Sequence, residues 1–276
     1  MKNIFYITVI ALLFVTTLFF WHRSSKLGHR LELIQDRIEQ SKKVRIDAEK
    51  FKPETPRYKA RLAIVLDDFG YNLNNLEEVW ELGVPITLSI LPNLTFSKAI
   101  ARAAGNRGIE HILHLPLEPY ETKPLERSTI MTTMTEEEIL NNLERAIASV
   151  PGLKGISSHM GSKATEDERV MSLIFDRMRK DNLYFLDSLV TNKSVCRYLC
   201  KKIGLKFAKR SVFLDNEADA EYITGQIKEL ARQALATDWA IGIGHDRPLT
   251  IAAIREMLPE LDKMGVEFVF LSELTE

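Results

Sequence analysis

The segment LAIVLDDFG, residues 62–70, decides the fold class of this chain. Its five apolar residues predict a short buried strand, and the glycine after the aspartates marks the turn that follows. Asp67 and Asp68 lie side by side where this strand should end. Two neighbouring carboxylates repel each other unless a metal ion, another cation or a shared proton relieves the repulsion. The alternative is a polar turn in which Asp67 caps the next helix.

The same pattern, an apolar run that ends in His or Asp, recurs along the chain. The strand candidates are residues 62–66, 86–91, 110–115, 153–157, 183–186, 212–214, 240–243 and 266–271. Helical patterns separate them over about 215 residues, which predicts an α/β fold with a parallel sheet, closed or nearly closed into a barrel.

Start and stop signals place the predicted helices. Two capping boxes, each a Thr followed three residues later by a Glu, predict helix starts at Thr135/Glu138 and Thr165/Glu168. A third helix is predicted over residues 218–235. A fourth starts after Thr250 and should kink or stop at Pro259.

Composition narrows the class of protein. Charged residues make up 27% and hydrophobic residues 45%, which is typical of globular proteins, and the net charge of −1 gives no reason to expect a nucleic-acid partner. Cys196 and Cys200 have a C-x3-C spacing in a predicted helix, so we expect helix-face residues rather than a disulfide or a zinc knuckle. Residues 116–134 lack a regular pattern and are long enough to form a functional loop.

The N-terminal segment predicts a membrane anchor. Residues 4–21 are almost uninterruptedly apolar and close to the minimum length of a spanning helix. We expect residues 1–25 to be an uncleaved signal anchor; the alternative is a secretory signal peptide, which usually has a shorter apolar part and a small-residue cleavage site. Basic residues lie on both sides, and the larger cluster follows the run, which favours a cytoplasmic location for the remainder.

Residues 26–57 are predicted to form a helical stalk and linker. The apolar residues repeat with the 4-3-4 spacing of a coiled-coil seam: Leu27, Leu31, Ile34 and Ile38. This short run permits a homodimer. Pro53 and Pro56 then break the helix, so residues 58–276 are predicted to form the main domain.

Reactive residues lie at the predicted strand ends, where parallel α/β folds bind their ligands. Asp68, His114 and His159 are our predicted metal ligands, since two imidazoles and one carboxylate commonly hold a divalent ion. Side chains alternate along a strand, so His111 and His114 cannot both face the barrel mouth. We choose His114 because it is nearer the strand end; His111 is expected to contact a helix or lie at the surface.

The remaining polar residues are assigned around this metal set. Asp67 would act as general base and His245 as general acid in hydrolysis of an amide or ester. The alternative for His245 and Asp246 is a strand-to-helix turn capped by Asp246. Asp187 is expected to orient a ligand histidine or to contact substrate. Arg210 and Asp215 are expected to form an ion pair that fixes a loop or holds Asp67, and these three residues form the predicted substrate-binding or supporting set: Asp187, Arg210 and Asp215.

Several motifs together resemble the divergent polysaccharide deacetylase family, a distant branch of the carbohydrate deacetylases: VLDDFG, HLPLEP, GISSHMGSKAT, FLDS, KRSVFLDN and AIGIGHDRPLT, from residue 62 to about 274. The resemblance implies a distorted (β/α) barrel of about seven to eight parallel strands. It also implies a metal held by one Asp and two His, which serves to remove N- or O-acetyl groups from sugars. Asp67 then matches the base, Asp68 a metal ligand and His245 the acid. The His-x-x-x-His and Arg-x-Pro-Tyr motifs of the main deacetylases are absent here, and Arg210 is a candidate substitute for the missing arginine.

The expected function is therefore a metal-dependent hydrolase that removes an acyl group, acetyl above all, from an envelope polysaccharide. The expected cofactor is a divalent metal, zinc first. The expected partners are a polysaccharide or glycan substrate and, through the N-terminal helix, the membrane, with the domain outside the cytoplasm in the periplasm or cell envelope. The alternatives are a non-catalytic glycan-binding or scaffolding envelope protein on the same barrel, and a hydrolase that faces the cytoplasm.

Overall fold

The computed structural model of the protein describes residues 58–276, together with the isolated residue Gln35. The predicted anchor (1–25) and the predicted stalk and linker (26–57) thus lie outside the described residues, apart from Gln35. Within the described part of the chain, no helix combines the length and the apolar character needed to cross a membrane.

Parallel strands form the centre of the described region. In chain order they are β1 (Ala60–Phe69), β2 (Thr87–Ile90), β3 (His111–Leu117), β4 (Gly155–Met160), β5 (Tyr184–Asp187), β6 (Phe207–Lys209), β7 (Val212–Phe213), β8 (Trp239–His245) and β9 (Val266–Phe268). Eight of them follow one another across the sheet in the order β6-β5-β4-β3-β2-β1-β8-β7, and β9 pairs with the start of β1. The predicted parallel α/β sheet is confirmed. It is a curled half-barrel, because no ladder joins β6 to β7 within the described residues.

Helices cover the outer face of this sheet. They are α1 (Leu76–Trp80), α2 (Ser97–Asn106), α3 (Glu136–Ser149), α4 (Glu168–Lys180), α5 (Cys196–Ile203), α6 (Ala220–Thr237) and α7 (Pro248–Met264). A 3-10 turn over Leu271–Leu274 follows β9. Both cysteines are buried free thiols on α5, so the expectation of helix-face residues without a disulfide is confirmed.

The two faces of the sheet pack in two different apolar layers. On β1, Leu62, Ile64 and Leu66 pack in the layer under the helices, whereas Ala63 and Val65 belong to a second layer inside the barrel. All five are fully buried. Because side chains alternate along a strand, the residue after Leu66 continues the interior row. The hydrophobic alternation of β1 therefore aims Asp67 at the interior.

One predicted capping box is confirmed and the other is wrong. Thr135 Oγ1 accepts from the Glu138 N–H at 3.3 Å, and Glu138 Oε2 accepts from the Thr135 N–H at 2.8 Å. The helix predicted to start at Thr165 begins instead at Glu168, with Asp167 Oδ1 accepting from the Val170 N–H at 3.0 Å. Thr165 lies in a preceding 3-10 turn, and its hydroxyl donates to Gly161 O at 2.7 Å.

The last helix begins earlier than predicted and passes through Pro259 rather than stopping there. α7 begins at Pro248, because proline at the first helical position lacks only an N–H that would have no helical partner. It does not stop at Pro259 but continues to Met264. The buried residues Met257 and Leu261 lie on either side of this proline, and their packing offsets the hydrogen bond that Pro259 cannot make.

Candidate active site

A bulge at the end of β1 directs two consecutive aspartates towards the same place. The pairing of β1 with β2 becomes irregular between Leu66 and Phe69, and Asp68 adopts a left-handed backbone with φ 69°. This conformation is uncommon outside glycine, although Asp and Asn tolerate it best. A regular strand would point Asp67 and Asp68 to opposite faces. The bulge places both carboxylates at the carboxyl end of the barrel.

The structure brings the three predicted metal ligands together. Ligand atoms of Asp68, His114 and His159 all lie within 4.8 Å of one another. Asp68 Oδ1 is 3.3 Å from His159 Nδ1 and 3.4 Å from His114 Nε2, and those two nitrogens are 3.1 Å apart. Zinc–ligand bonds of ~2.0–2.2 Å in tetrahedral geometry separate ligand atoms by about 3.3–3.5 Å. The donor set therefore fits a divalent ion.

Unsatisfied carboxylate oxygens also fit a cation at this position. Asp67 Oδ1 and Asp68 Oδ1 are buried and have no hydrogen-bond partner among the described residues. Buried polar atoms without partners are rare in folded proteins, and an ion or water usually explains them.

Buried serines orient His114. His114 Nδ1 lies 2.8 Å from Ser157 Oγ on the neighbouring strand β4, and Ser157 Oγ lies 2.8 Å from Ser89 Oγ on β2. This contact leaves Nε2 to face the aspartates and fixes the ring, as groups behind metal-bound histidines do. Neither serine was among the predicted site residues. A serine inside a short apolar strand, as Ser89 is in β2, was the sequence signal that could have indicated them.

The two aspartates have opposite electrostatic environments. Burial raises the pKa of Asp67, and the nearby His114, with Nε2 3.6 Å from Asp67 Oδ2, opposes that rise only in part. Burial alone would also raise the pKa of Asp68, but its close contacts with His114 and His159, whose nitrogens lie 3.4 and 3.3 Å from Asp68 Oδ1, hold it well below its usual range. Adjacent carboxyl groups with opposite pKa shifts are suited to different roles.

His245 lies at the end of β8, the strand beside β1, and is paired in register with Asp67. Asp215 accepts two hydrogen bonds from it, at 2.7 Å from Nδ1 and at 2.9 Å from the backbone N–H. Burial would lower the pKa of His245, but the hydrogen bond and charge of Asp215 raise it above the ordinary value of 6.5. Thr250 Oγ1 donates to the same carboxylate at 2.6 Å. Asp215 therefore orients His245 and favours its protonated form.

The predicted ion pair between Arg210 and Asp215 is wrong. Arg210 donates to Ser188 O at 2.7 Å and to Leu189 O at 3.0 Å, and so it holds the loop after β5. Its guanidinium also lies 4.5 Å from the centre of the Phe213 ring. The two residues are close in sequence, but β7 lies between them and Asp215 turns towards His245.

Asp187 does not orient a histidine. Its neighbour on the strand, Leu186, belongs to the interior layer, so alternation along β5 turns Asp187 towards the helices. It accepts from the Leu189 N–H at 2.8 Å and from Ser194 Oγ at 2.6 Å, and it stabilises the start of the loop. His111 also faces away from the site: it is buried rather than at the surface, and its Nε2 lies 2.9 Å from Pro151 O.

This constellation can be compared with known proteins. A sequence model described as "Divergent polysaccharide deacetylase" matches residues 64–275. The chain belongs to the divergent polysaccharide deacetylase family. Within and around this family, the uncharacterized protein YibQ of Escherichia coli K12 is 35% identical over 210 residues, which cover 75% of this chain and 65% of that protein. The chain thus spans about two thirds of its relative's length.

Solved structures share the fold of this family member. An uncharacterized protein from Agrobacterium tumefaciens C58 has a TM-score of 0.74 and 24% identity, with 81% of this chain and 92% of that chain covered. A family 4 carbohydrate esterase from Streptomyces lividans, solved with acetate, has a TM-score of 0.51 and 15% identity, with 79% and 95% covered. At these identities the comparison shows a deacetylase-like fold, and the reaction has to be inferred from the residues of the site.

Proposed function

We propose that this member of the divergent polysaccharide deacetylase family is a metal-dependent hydrolase that removes acetyl groups from a polysaccharide of the cell envelope. The observation that carries the proposal is the cluster of Asp68, His114 and His159 beside an unpaired, buried Asp67 oxygen. The two halves of a hydrolytic site are thus adjacent: a donor set for a divalent ion and a free carboxylate for a proton.

Asp68, His114 and His159 would hold the ion. When bound, a divalent metal such as zinc polarises the acyl carbonyl and lowers the pKa of water. The buried serine pair behind His114 keeps its Nε2 directed at the site. Asp68 Oδ1 lies 3.4 Å from His114 Nε2 and 3.3 Å from His159 Nδ1, so the carboxylate and the two imidazole nitrogens converge on one position.

Asp67 and His245 would move the protons. Asp67 Oδ1 has no donor of its own and can accept a proton from the attacking water, whose oxygen forms the new bond to the acyl carbon. His245, protonated because Asp215 stabilises the imidazolium, donates a proton to the leaving amine or alkoxide as the C–N or C–O bond breaks. Acetate and a free amino or hydroxyl group on the sugar are the products.

The test combines metal content with acetate release from N-acetylated and O-acetylated glycans, on the full-length protein supplied with zinc. Replacing the base, Asp67→Asn, should retain the metal and lower the rate by about 10²–10⁴-fold. Asp176→Asn, at an exposed position on α4, is the matched control and should keep both properties. A folded parent that takes up no zinc and releases no acetate would overturn the hydrolase proposal. Saturable glycan binding by that same protein would then support the non-catalytic alternative.

The location of this activity is also proposed. An envelope polysaccharide requires the domain to be exported, in keeping with the apolar run of residues 4–21. A reporter enzyme that works only in the periplasm should be active when it is fused to the C-terminus. Activity only of a fused reporter that works in the cytoplasm would contradict this location.

A further inference from the structure

A polar groove lies at the surface between loops that follow two strands of the sheet and one helix. It is a depression of about 550 Å³ between the loop after β2, the loop after β3 and helix α3. Asn93 and Asn142 line it together with Ser128, Arg127 and Arg145. A site of this size lies within the range of ~300–1,000 Å³ typical of small-molecule and ligand pockets.

The groove contacts the segment that follows Asp67 and Asp68. Tyr71, three residues after Asp68, donates a hydrogen bond from its phenol to Glu126, which lines the groove. The Phe96 N–H donates to Gly70 O at 3.1 Å and ties the loop after β2 to the same segment. A chain that has one sugar at Asp68 could therefore continue along this depression.

The lining carries more positive than negative charge, with Arg127 and Arg145 against Glu126. An adjoining depression of about 350 Å³ shares Asn93 and Arg145 with the groove and adds Lys98. Among residues 58–276, no carboxylate oxygen lies within 4.0 Å of a side-chain nitrogen of Arg127, Arg145 or Lys98. By contrast, the surface arginine Arg177 is paired with two carboxylates.

We propose that this groove binds the portion of the glycan that extends from the reacting sugar, and that it selects a glycan with carboxylate groups. The proposal rests on the hydrolase function proposed above. Guanidinium groups bind carboxylates through paired, charge-assisted hydrogen bonds. The Asn and Ser side chains supply donors and acceptors for sugar hydroxyl groups. Arg145 Nη2 donates to the neutral amide oxygen of Asn142 at 2.5 Å, so an uncharged glycan would add no anion to either arginine.

The test measures binding by the full-length Asp67→Asn protein of two oligosaccharides of equal length. One alternates N-acetylglucosamine with glucuronate, and the other is a neutral N-acetylglucosamine oligomer. We expect the carboxylated probe to bind at least ~10-fold more tightly, and the Arg127→Ala/Arg145→Ala protein to lose that preference. Arg179→Ala, at an exposed arginine in the last turn of α4, is the matched control and should keep it.

The outcomes separate the groove from the chemistry. Equal affinity for the two probes, or a preference that survives loss of both arginines, overturns the groove proposal whether or not acetate is released. Competition by millimolar inorganic phosphate that abolishes binding of the carboxylated probe entirely would also overturn it, since it would show capture of any anion rather than of a glycan. An arginine-dependent preference in the Asp67→Asn protein, together with a zinc-supplied parent that never releases acetate, supports the groove and overturns the hydrolase function.

Discussion

Glu110 directly precedes strand β3 at the amino end of the barrel, whereas Asp67 lies at the carboxyl end, and the two buried carboxylates have different surroundings. At the amino end, Glu110 Oε1 accepts hydrogen bonds from Thr87 Oγ1 at 3.0 Å, Tyr184 OH at 2.8 Å and the Ser272 N–H at 3.1 Å. At the carboxyl end, Asp67 is also buried, and one of its oxygens has no donor among the described residues.

The number of hydrogen-bond donors distinguishes a structural buried carboxylate from a functional one. Glu110 closes the bottom of the barrel by joining β2, β5 and the C-terminal 3-10 turn, and its donors compensate for the loss of water. Asp67 is left without such compensation, so its burial lowers stability unless a ligand or proton is present. The candidate active site is therefore the end where polar satisfaction is incomplete.

Metal content gives the largest expected contrast between the two ends. His114→Ala should remove a ligand and abolish stoichiometric zinc binding, together with at least ~10³-fold of any hydrolytic rate. His111→Gln, three residues earlier on the same strand, should keep the metal, because its side chain points to Pro151 rather than to the aspartates. Elemental analysis of both folded proteins checks this. Loss of zinc in both variants would remove the distinction.

Unfolding free energies of the metal-free protein give the next contrast. Glu110→Ala should cost at least about 2 kcal/mol, because three donors lose their acceptor. Asp67→Ala should be neutral or stabilising at pH 7, since burial raises the pKa of this carboxyl and its ionised form is disfavoured in the folded state. This advantage should disappear at pH values below the ordinary pKa of 3.8. Denaturant titrations with a chelator measure both, and equal costs would contradict the comparison.

A smaller effect distinguishes two carboxylates at the same end. Asp215, unlike Asp67, is fully occupied by His245, Thr250 and a backbone N–H. Because Asp215 raises the pKa of His245, the rate should fall on the alkaline side as His245 loses its proton above 6.5. Asp215→Asn should move this limb to lower pH and reduce kcat about 10–100-fold. Unchanged pH profiles would show that His245 is not the acid.

The sequence predicted most of the strands because apolar runs and strand alternation are local signals. It missed β6, which has only three residues. Ala208 is the one residue of this strand that packs in the interior layer. Alternation along β3 allowed only one of His111 and His114 to face the barrel mouth, and His114 was chosen because it is nearer the predicted strand end. The same alternation applied to β5 would have turned Asp187 away from the interior.

Other features depend on contacts that a linear sequence does not display. Arg210 and Asp215 are five residues apart, but their partners lie on the loop after β5 and on β8 respectively. Ser89 and Ser157 meet only because β2 and β4 both flank β3. The N-cap of α4 is Asp167 rather than the predicted Thr165, because Thr165 lies in a 3-10 turn that precedes the helix.

The left-handed backbone of Asp68 has a consequence for mutational tolerance. Glycine and asparagine adopt this conformation most easily, so they should be the replacements that best preserve the amount of folded protein in cells. Neither supplies a carboxylate. Glutamate would supply one, but on a longer side chain and at a conformational cost. In a saturation library scored separately for abundance and for activity, the two rankings at this position should therefore cross, whereas at Leu62 or Ile64 they should run in parallel.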